Sequence, residues 1–188
     1  MHLRAGAIAA TLAAASVFAQ TAAPAAVALR VPYIQQSREG CGSAALAMVM
    51  QYWDAARHQP VAASAEASAI QSQLYTRADH GIRASRMVAY LRTQGYTVFA
   101  FSGQWTDLVH HIALGRPLIV ALQASGTHGP LHYVVVVGVD AQRGFVYVND
   151  PERKPMLRIS QEGFASEWKG THNWTLLALP PPAGTARP

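Results

Sequence analysis

The sequence predicts an α+β domain in which an N-terminal helical part packs on a C-terminal antiparallel sheet. In the first half, apolar residues recur at the three- and four-residue spacing of a helix. The second half instead contains short β-branched and aromatic runs that are bounded by Gly, Pro, Asp and Asn. The period changes near residues 115–117. Helices that precede a group of strands, rather than alternating with them, indicate the α+β class.

Four helices are predicted in the first half. The first covers Ala44 to Trp53, where the apolar residues fall mostly on one side, and Pro60 lies beyond its end. The other three are predicted over residues 62–74, 84–94 and 105–114. Gly95 and Gly115 close the last two of these helices.

Four strands are predicted in the second half, over residues 118–122, 133–139, 145–148 and 174–179. Residues 140–144 join the second and third of these strands and have the composition of a hairpin connection. The two strands are therefore expected to pair antiparallel.

The N-terminus has the pattern of a secretory signal peptide over residues 1–19, with an early basic residue, an apolar stretch and small residues before Gln20. A flexible lead-in is expected over residues 20–30, one domain over 31–180 and a disordered tail over 181–188. We therefore expect an exported protein, either periplasmic or secreted, that is not inserted in a membrane after signal cleavage. Removal of Arg4 lowers the formal net charge from +5 to +4, and this weak, dispersed excess gives no indication of nucleic-acid binding. A monomer is expected.

Cys41 is the only cysteine of the chain and lies where a loop is expected to become a helix. A single thiol forms no internal disulfide, although free cysteines are often simply buried apolar residues. The amide groups that open a helix carry partial positive charge, which favours a thiolate. Position therefore makes Cys41 the candidate nucleophile.

His132 and Asp150 are the candidate base and orienting acid. His132 opens one predicted strand and Asp150 closes the next, so pairing of the two strands as a hairpin brings both residues to the same end. The carboxylate can then hold the imidazole in one tautomer. Asn149 competes for the orienting role, and strand alternation allows only one of the two neighbours to face His132.

An oxyanion hole is expected from the backbone N–H of Cys41 and a side-chain amide just upstream. Gln35 and Gln36 both lie at a suitable distance along the chain, and spacing alone does not choose between them. No cofactor or metal is expected, since His110, His111 and His128 lack the spacing of a converging ligand set.

These residues resemble the C39-type, or double-glycine, cysteine peptidases of the papain-like superfamily. The resemblance extends over nearly the whole mature domain and is carried by segments 31–36, 41–48, 115–120, 132–140 and 148–151. It implies a papain-like fold, with Cys41 as nucleophile, His132 as base and Asp150, rather than Asn149, as orienting acid. It also implies a peptide or protein substrate.

The predicted activity is peptide-bond hydrolysis through a covalent acyl-enzyme. Two other readings stay open from the sequence. The same three residues support acyl transfer to an amine or cleavage of a cell-wall amide, and the scaffold could bind peptides without cutting them. The presence of Cys41, His132 and Asp150 together argues against a module that only binds peptides.

Overall fold

The structure, a computed structural model, describes residues 26–123 and 131–182. Its helices are α1 (Cys41–Ala56), α2 (Ala67–Leu74), α3 (Ala84–Thr93), α4 (Trp105–Ala113) and α5 (Gln161–Lys169), with single 3₁₀ turns at Ala63–Ala65 and Arg77–Asp79. Its strands are β1 (Val27–Ala28), β2 (Thr97–Ser102), β3 (Leu118–Leu122), β4 (His132–Asp140), β5 (Phe145–Asp150), β6 (Lys154–Ser160) and β7 (Trp174–Leu179). The predicted α+β class is confirmed.

The strands form one antiparallel sheet in the order β2-β7-β3-β4-β5-β6, and the short β1 also pairs with β4. A shift of register between Val136 and Gly138 marks a bulge in β4. A Cβ at Gly138 would lie 2.9 Å from the Val27 carbonyl oxygen, so only glycine fits where β1 approaches. The predicted hairpin of β4 and β5 is confirmed.

The sheet has a hydrophobic cluster on each face. One face packs against α1, α2 and α3, and the other packs against α4 and α5. Strand β4 contributes Tyr133, Val135 and Val137 to the first cluster, and Val134 and Val136 to the second. Burial on both sides explains why β4 is a continuous apolar run rather than an alternating one.

Helix α1 is buried more completely than the predicted one-sided pattern requires. Residues 44–50 are all at most 1% exposed, because the sheet covers one side of the helix and α2 covers another. A helix that is apolar around its circumference belongs in the centre of a domain. Its N-terminus, which carries Cys41, is thereby fixed by the core.

Strands β1, β2 and β6 and helix α5 were not predicted. Strand β6 is an edge strand that holds a proline and two charged residues, and α5 has Gly163 in its interior and three charged residues among its nine. Strand β2 lies between two predicted helices, and five of its six residues are not buried. The helix expected over 62–74 is interrupted at Glu66, whose backbone is extended.

At the N-terminal end, the structure differs from the expected boundary of the domain. Val27 and Ala28 form β1, and the Leu29 N–H donates to the Val137 carbonyl at 2.7 Å, so ordered structure begins within the predicted 20–30 lead-in rather than at Val31. This pairing depends on the distant β4, which local composition does not reveal. The predicted signal peptide over 1–19 lies outside the described residues, as does the tail beyond Pro182. No described helix has the length and apolar character needed to cross a bilayer.

Candidate active site

Cys41 is the first residue of α1, and a tight turn delivers the chain to it. Glu39 has a left-handed backbone with φ of 55°, and the Gly40 N–H donates to the Ser37 carbonyl at 3.0 Å. A Cβ at Gly40 would lie 2.8 Å from Ser37 Oγ, which leaves no room for a side chain. The turn therefore fixes Cys41 at the helix start, with its thiol partly buried.

The helix start supplies hydrogen-bond donors beside the sulfur. N–H groups in the first turn of a helix have no partner within the helix, and they lie at its positive end. Gly40 forms no side-chain cap, and no acidic residue lies in this first turn. The Cys41 N–H is thus available to an oxygen that develops negative charge next to the sulfur.

His132 and Asp150 are brought into direct contact by the β4–β5 hairpin. Asn149 pairs with Val135, so the next residue, Asp150, lies at the end of β4 where His132 begins the strand. His132 Nε2 donates to Asp150 Oδ1 at 2.7 Å, and the Asp150 side chain is only 5% exposed. The backbone N–H of Glu152 also donates to Oδ1 at 3.0 Å, which holds the carboxylate in place.

The charge state of His132 follows from its neighbours. Burial lowers its pKa, but hydrogen bonds with Asp150 and Cys41 outweigh this effect and raise the pKa to about 10. Burial raises the pKa of Asp150, and the hydrogen bond from His132 outweighs it and leaves the pKa lowered. At neutral pH the pair is therefore an imidazolium beside a carboxylate.

The imidazolium also lies beside the sulfur. Cys41 lies close enough to contribute to the raised pKa of His132, and because Nε2 is engaged by Asp150, Nδ1 is the ring nitrogen left for the sulfur. A positive charge at this position attracts negative charge that develops on the sulfur. The structure thus brings together the three residues that the sequence selected.

A second carboxylate near the imidazole was not predicted. Glu152 Oε2 lies 4.0 Å from His132 Nδ1, and its side chain is 65% exposed. Glu152 follows Asp150 by two residues across the Pro151 turn, so its proximity depends on how that turn bends. One indirect signal of this contact is the acidic residue directly after an Asp-Pro pair.

The two candidate glutamines differ in their surroundings. Gln35 is exposed, whereas Gln36 is partly buried and its Oε1 is buried without a hydrogen-bond partner among the described residues. The Gln36 N–H donates to the Pro151 carbonyl at 2.9 Å, and Tyr33 Oη donates to the Asp150 carbonyl at 3.2 Å. Segment 33–36 therefore runs along the Asp150 end of the site with Gln36 turned inward.

Asn149 has a different role from Asp150. Its Nδ2 donates to the Val31 carbonyl at 3.2 Å, and its Oδ1 accepts from the Met156 N–H at 3.1 Å. The side chain is almost fully buried, and these contacts join segment 31–36 and β6 to the hairpin. Asn149 therefore supports the backbone around the site, and Asp150 contacts the imidazole.

A groove of about 250 Å³ opens beside Cys41. Its floor includes Tyr133 of β4, and much of its rim comes from residues 79–84, with Leu131 also lining it. We call residues 75–84 the loop wall and the β4–β5 strands the hairpin wall. Burial raises the pKa of Tyr133 to about 12, with a further contribution from Cys41, so its hydroxyl is neutral at physiological pH.

The loop wall is attached to the turn before Cys41. Glu39 accepts hydrogen bonds from Tyr75 Oη at one oxygen and from His80 Nδ1 at 3.2 Å at the other. Arg83 Nε donates to Asp79 at 2.6 Å, and Thr76 pairs with Gly81 across the base of the loop. Sequence reasoning missed this attachment, because it depends on the left-handed turn at Glu39.

The sequence predicts no metal site at His110, His111 and His128. His110 and His111 stack edge to face on α4, and His128 lies outside the described residues. Within the described part of the chain, no group of three or more His, Cys, Asp or Glu converges as a metal site would require.

Comparison with known proteins gives a consistent family. The Peptidase_C39 like family matches residues 28–175. No curated protein matches the sequence significantly. Among solved structures, a C39-like peptidase from Bacillus anthracis superposes with a TM-score of 0.64 at 16% identity, covering 83% of this chain and 98% of its own.

The peptidase domain of Streptococcus ComA, a bi-functional ABC transporter involved in a quorum sensing pathway, is also similar. It superposes with a TM-score of 0.62 at 22% identity, and the match covers 80% of this chain and 99% of that domain. The peptidase domain of Streptococcus mutans ComA gives a TM-score of 0.51 at 21% identity, covering 79% and 98%. The chain therefore belongs to the Peptidase_C39 like family and has the C39-like peptidase fold.

Proposed function

We propose that this protein is a cysteine peptidase that hydrolyses peptide bonds through Cys41, His132 and Asp150. The contact that carries the proposal is the 2.7 Å hydrogen bond between His132 and the buried Asp150, with Cys41 close enough to the imidazole to help raise its pKa. Membership of a peptidase family supports a peptide substrate. The groove beside Cys41 provides room for the chain that is cut.

In the first half of the reaction, the Cys41 thiolate attacks the carbonyl carbon of the scissile peptide bond. The carbonyl oxygen gains the negative charge, and the Cys41 N–H and the Gln36 amide donate hydrogen bonds to it. The C–N bond then breaks, and His132 Nδ1 gives its proton to the departing amine. The acyl group remains on sulfur as a thioester.

In the second half, neutral His132 accepts a proton from water, and the hydroxide formed attacks the thioester carbonyl. Collapse of this intermediate breaks the C–S bond, releases the carboxylic acid and restores the thiolate and imidazolium. Asp150 keeps the ring in the orientation that both steps require and stabilises its positive charge. The cycle consumes one water and needs no cofactor.

The test is hydrolysis of fluorescently labelled casein by the wild type and Cys41→Ala. The rate of the variant should fall by about 10⁴-fold, since the nucleophile is removed. Ser72→Ala is the matched control, because it removes an exposed hydroxyl on α2, and it should keep the wild-type rate. Equal rates for wild type and Cys41→Ala would contradict the proposal, as would wild-type binding of casein without any cleavage.

We propose in addition that the peptidase acts after export, as a periplasmic or secreted protein. The basic start, the apolar stretch and the small residues before Gln20 support this. Mass spectrometry of the protein from an expressing bacterium should find Gln20 at the N-terminus of the exported form. An uncleaved protein confined to the cytoplasm would contradict it.

A further inference from the structure

A second groove lies along β2, the strand at one edge of the sheet. Its volume is about 660 Å³, compared with about 250 Å³ beside Cys41. The groove is lined by four consecutive residues of β2 and by residues of α3, α4, β7 and the turn before β3: Arg92, Val98, Phe99, Ala100, Phe101, His111, Arg116, Leu177 and Leu179. None of these residues has a role in the proposed reaction.

The backbone of β2 is open on this side. In the described residues, β2 pairs with β7 and with no other strand, so its outer edge presents N–H and C=O groups that have no strand partner. Such an edge is a template for one more strand. Extended peptides bind to exposed edges in this way, with main-chain hydrogen bonds giving affinity and neighbouring pockets reading alternate side chains.

The side chains along the edge favour an apolar contact. Phe99 is 50% exposed although it lies in the middle of a strand, and Phe101 is only partly buried. Charged residues commonly protect an exposed edge against pairing, but the exposed centre of β2 carries Phe99 and Ala100 instead. The edge is therefore suited to pairing.

The charges around the groove have one sign. Arg92 and Arg116 line it, no acidic residue does, and neither arginine forms an ion pair within the described residues. His111 also lines it, and its Nδ1 is buried without a hydrogen-bond partner among those residues. Burial and the nearby His110 and Arg116 lower the pKa of His111, so its ring is neutral and can donate or accept a hydrogen bond.

We propose that the β2 edge binds an extended, acidic segment of a partner protein, which adds as a strand while its carboxylates contact Arg92 and Arg116. Charge complementarity selects this occupant. The parts of this sequence outside the described residues (1–25, 124–130 and 183–188) contain no Asp or Glu, so none of them supplies the acidic segment.

The edge is separate from the proposed reaction. Strands β7 and β3 lie between β2 and β4, which carries His132. Along the strands, Leu122 at the end of β3 pairs with His132, whereas Leu177 pairs with Leu118 at the start of β3. The groove therefore extends toward the end of the sheet opposite the imidazole, and binding there does not require Cys41.

The test measures fluorescence anisotropy of a labelled peptide of about seven residues that alternates valine and glutamate, with serine at both ends. The peptide should bind saturably to the wild type and to Cys41→Ala with the same affinity. Binding to the double variant Arg92→Gln/Arg116→Gln should be at least about tenfold weaker, because two charge-assisted contacts are lost. A peptide with lysine in place of glutamate should not bind. Hydrogen exchange should show added protection of residues 97–102.

The matched control is Arg30→Gln/Lys154→Gln, which removes the same net charge from exposed positions elsewhere and should bind within about twofold of the wild type. Arg92, Arg30 and Lys154 are exposed, and Arg116 is partly buried. Circular dichroism verifies that each variant is folded. The proposal is overturned by no saturable binding up to about 1 mM peptide, by equal binding of the lysine peptide, or by equal loss in both double variants.

Discussion

The two walls of the candidate active site are built in different ways. In the hairpin wall, strand register sets the positions of His132 and Asp150. The β4 valines that follow His132, at positions 134–137, are completely buried. The loop wall is held by hydrogen bonds among Glu39, Tyr75 and His80 and by the Asp79–Arg83 pair. Buried packing fixes a geometry more firmly than exposed polar contacts do.

We infer from this difference that α1 and the hairpin wall serve the chemistry, whereas the loop wall serves substrate selection. Cys41, His132 and Asp150 require a constant arrangement, and the core-bound helix α1 and the hairpin provide it. A groove that accepts peptides benefits from one wall that adjusts, and the loop wall has exposed Arg77, Ala78 and His80. Changes in the core should therefore affect folding, changes at the triad should affect turnover, and changes in the loop wall should affect substrate binding.

The largest effect on stability is expected from Leu46→Ala in α1. Leu46 is completely buried between the sheet and the N-terminal helices, so its truncation leaves a cavity. The free energy of unfolding should fall by about 2–5 kcal/mol. Urea denaturation followed by circular dichroism measures this change. A loss below about 0.5 kcal/mol would contradict the description of α1 as the centre of the core.

The next largest effect is expected from Asp150→Asn on catalysis. The substitution removes the negative charge that orients His132 and favours its protonated form. We therefore expect kcat/KM to fall by about 10²-fold. Loss of the carboxylate lets burial lower the pKa of His132 from about 10, so the alkaline limit of acylation should move to lower pH. Casein hydrolysis between about pH 6 and 10.5 measures both effects. An unchanged alkaline limit would contradict the assigned role of Asp150.

The same variant tests the stability of the ion pair. The folded pKa of His132 lies above its ordinary value of 6.5, so the stabilisation is fully present below pH 6.5 and is lost as the pH rises toward about 10. The difference in unfolding free energy between wild type and Asp150→Asn should therefore shrink over this window. A difference that grows toward pH 10 would contradict the imidazolium assignment.

Much of this arrangement could be predicted from the sequence, because it depends on local patterns of residues. The continuous apolar run of β4, the hairpin connection after it, and the single cysteine at a loop-to-helix boundary are all local patterns. Pairing of one hairpin was then sufficient to bring His132 to the end that holds Asn149 and Asp150, and the family resemblance selected Asp150. The choice between Gln35 and Gln36 was not accessible, because it depends on the backbone contact between Gln36 and Pro151.

The elements that were missed depend on tertiary contacts. Strand β6 is polar and contains Pro155, which an edge position tolerates but a strand pattern does not indicate. Helix α5 begins with a Ser160 cap whose Oγ accepts from the Gly163 N–H, and only Phe164 and Trp168 of its nine residues are buried. Neither segment has enough apolar residues to produce a periodic signal.

The smallest effects are expected in the loop wall. Glu39→Gln removes the charge that holds Tyr75 and His80, so KM should rise by about 3–10-fold while kcat stays within about twofold. A quenched-fluorescence peptide containing the casein bond that the wild type cuts fastest provides the measurement. Arg83→Gln is the matched control for stability, and loss of its exposed ion pair should leave the midpoint of urea denaturation almost unchanged. A fall in kcat alone for Glu39→Gln would contradict the separation of the two walls.

The central claim is that His132 activates the Cys41 sulfur, and the most direct measurement is the rate at which iodoacetamide modifies Cys41 at pH 7. The wild type should react at least about tenfold faster than His132→Ala, because an adjacent imidazolium favours the reactive thiolate. His172→Ala, which removes another histidine far along the chain, should react at the wild-type rate. Equal rates for the wild type and a folded His132→Ala protein would contradict the account.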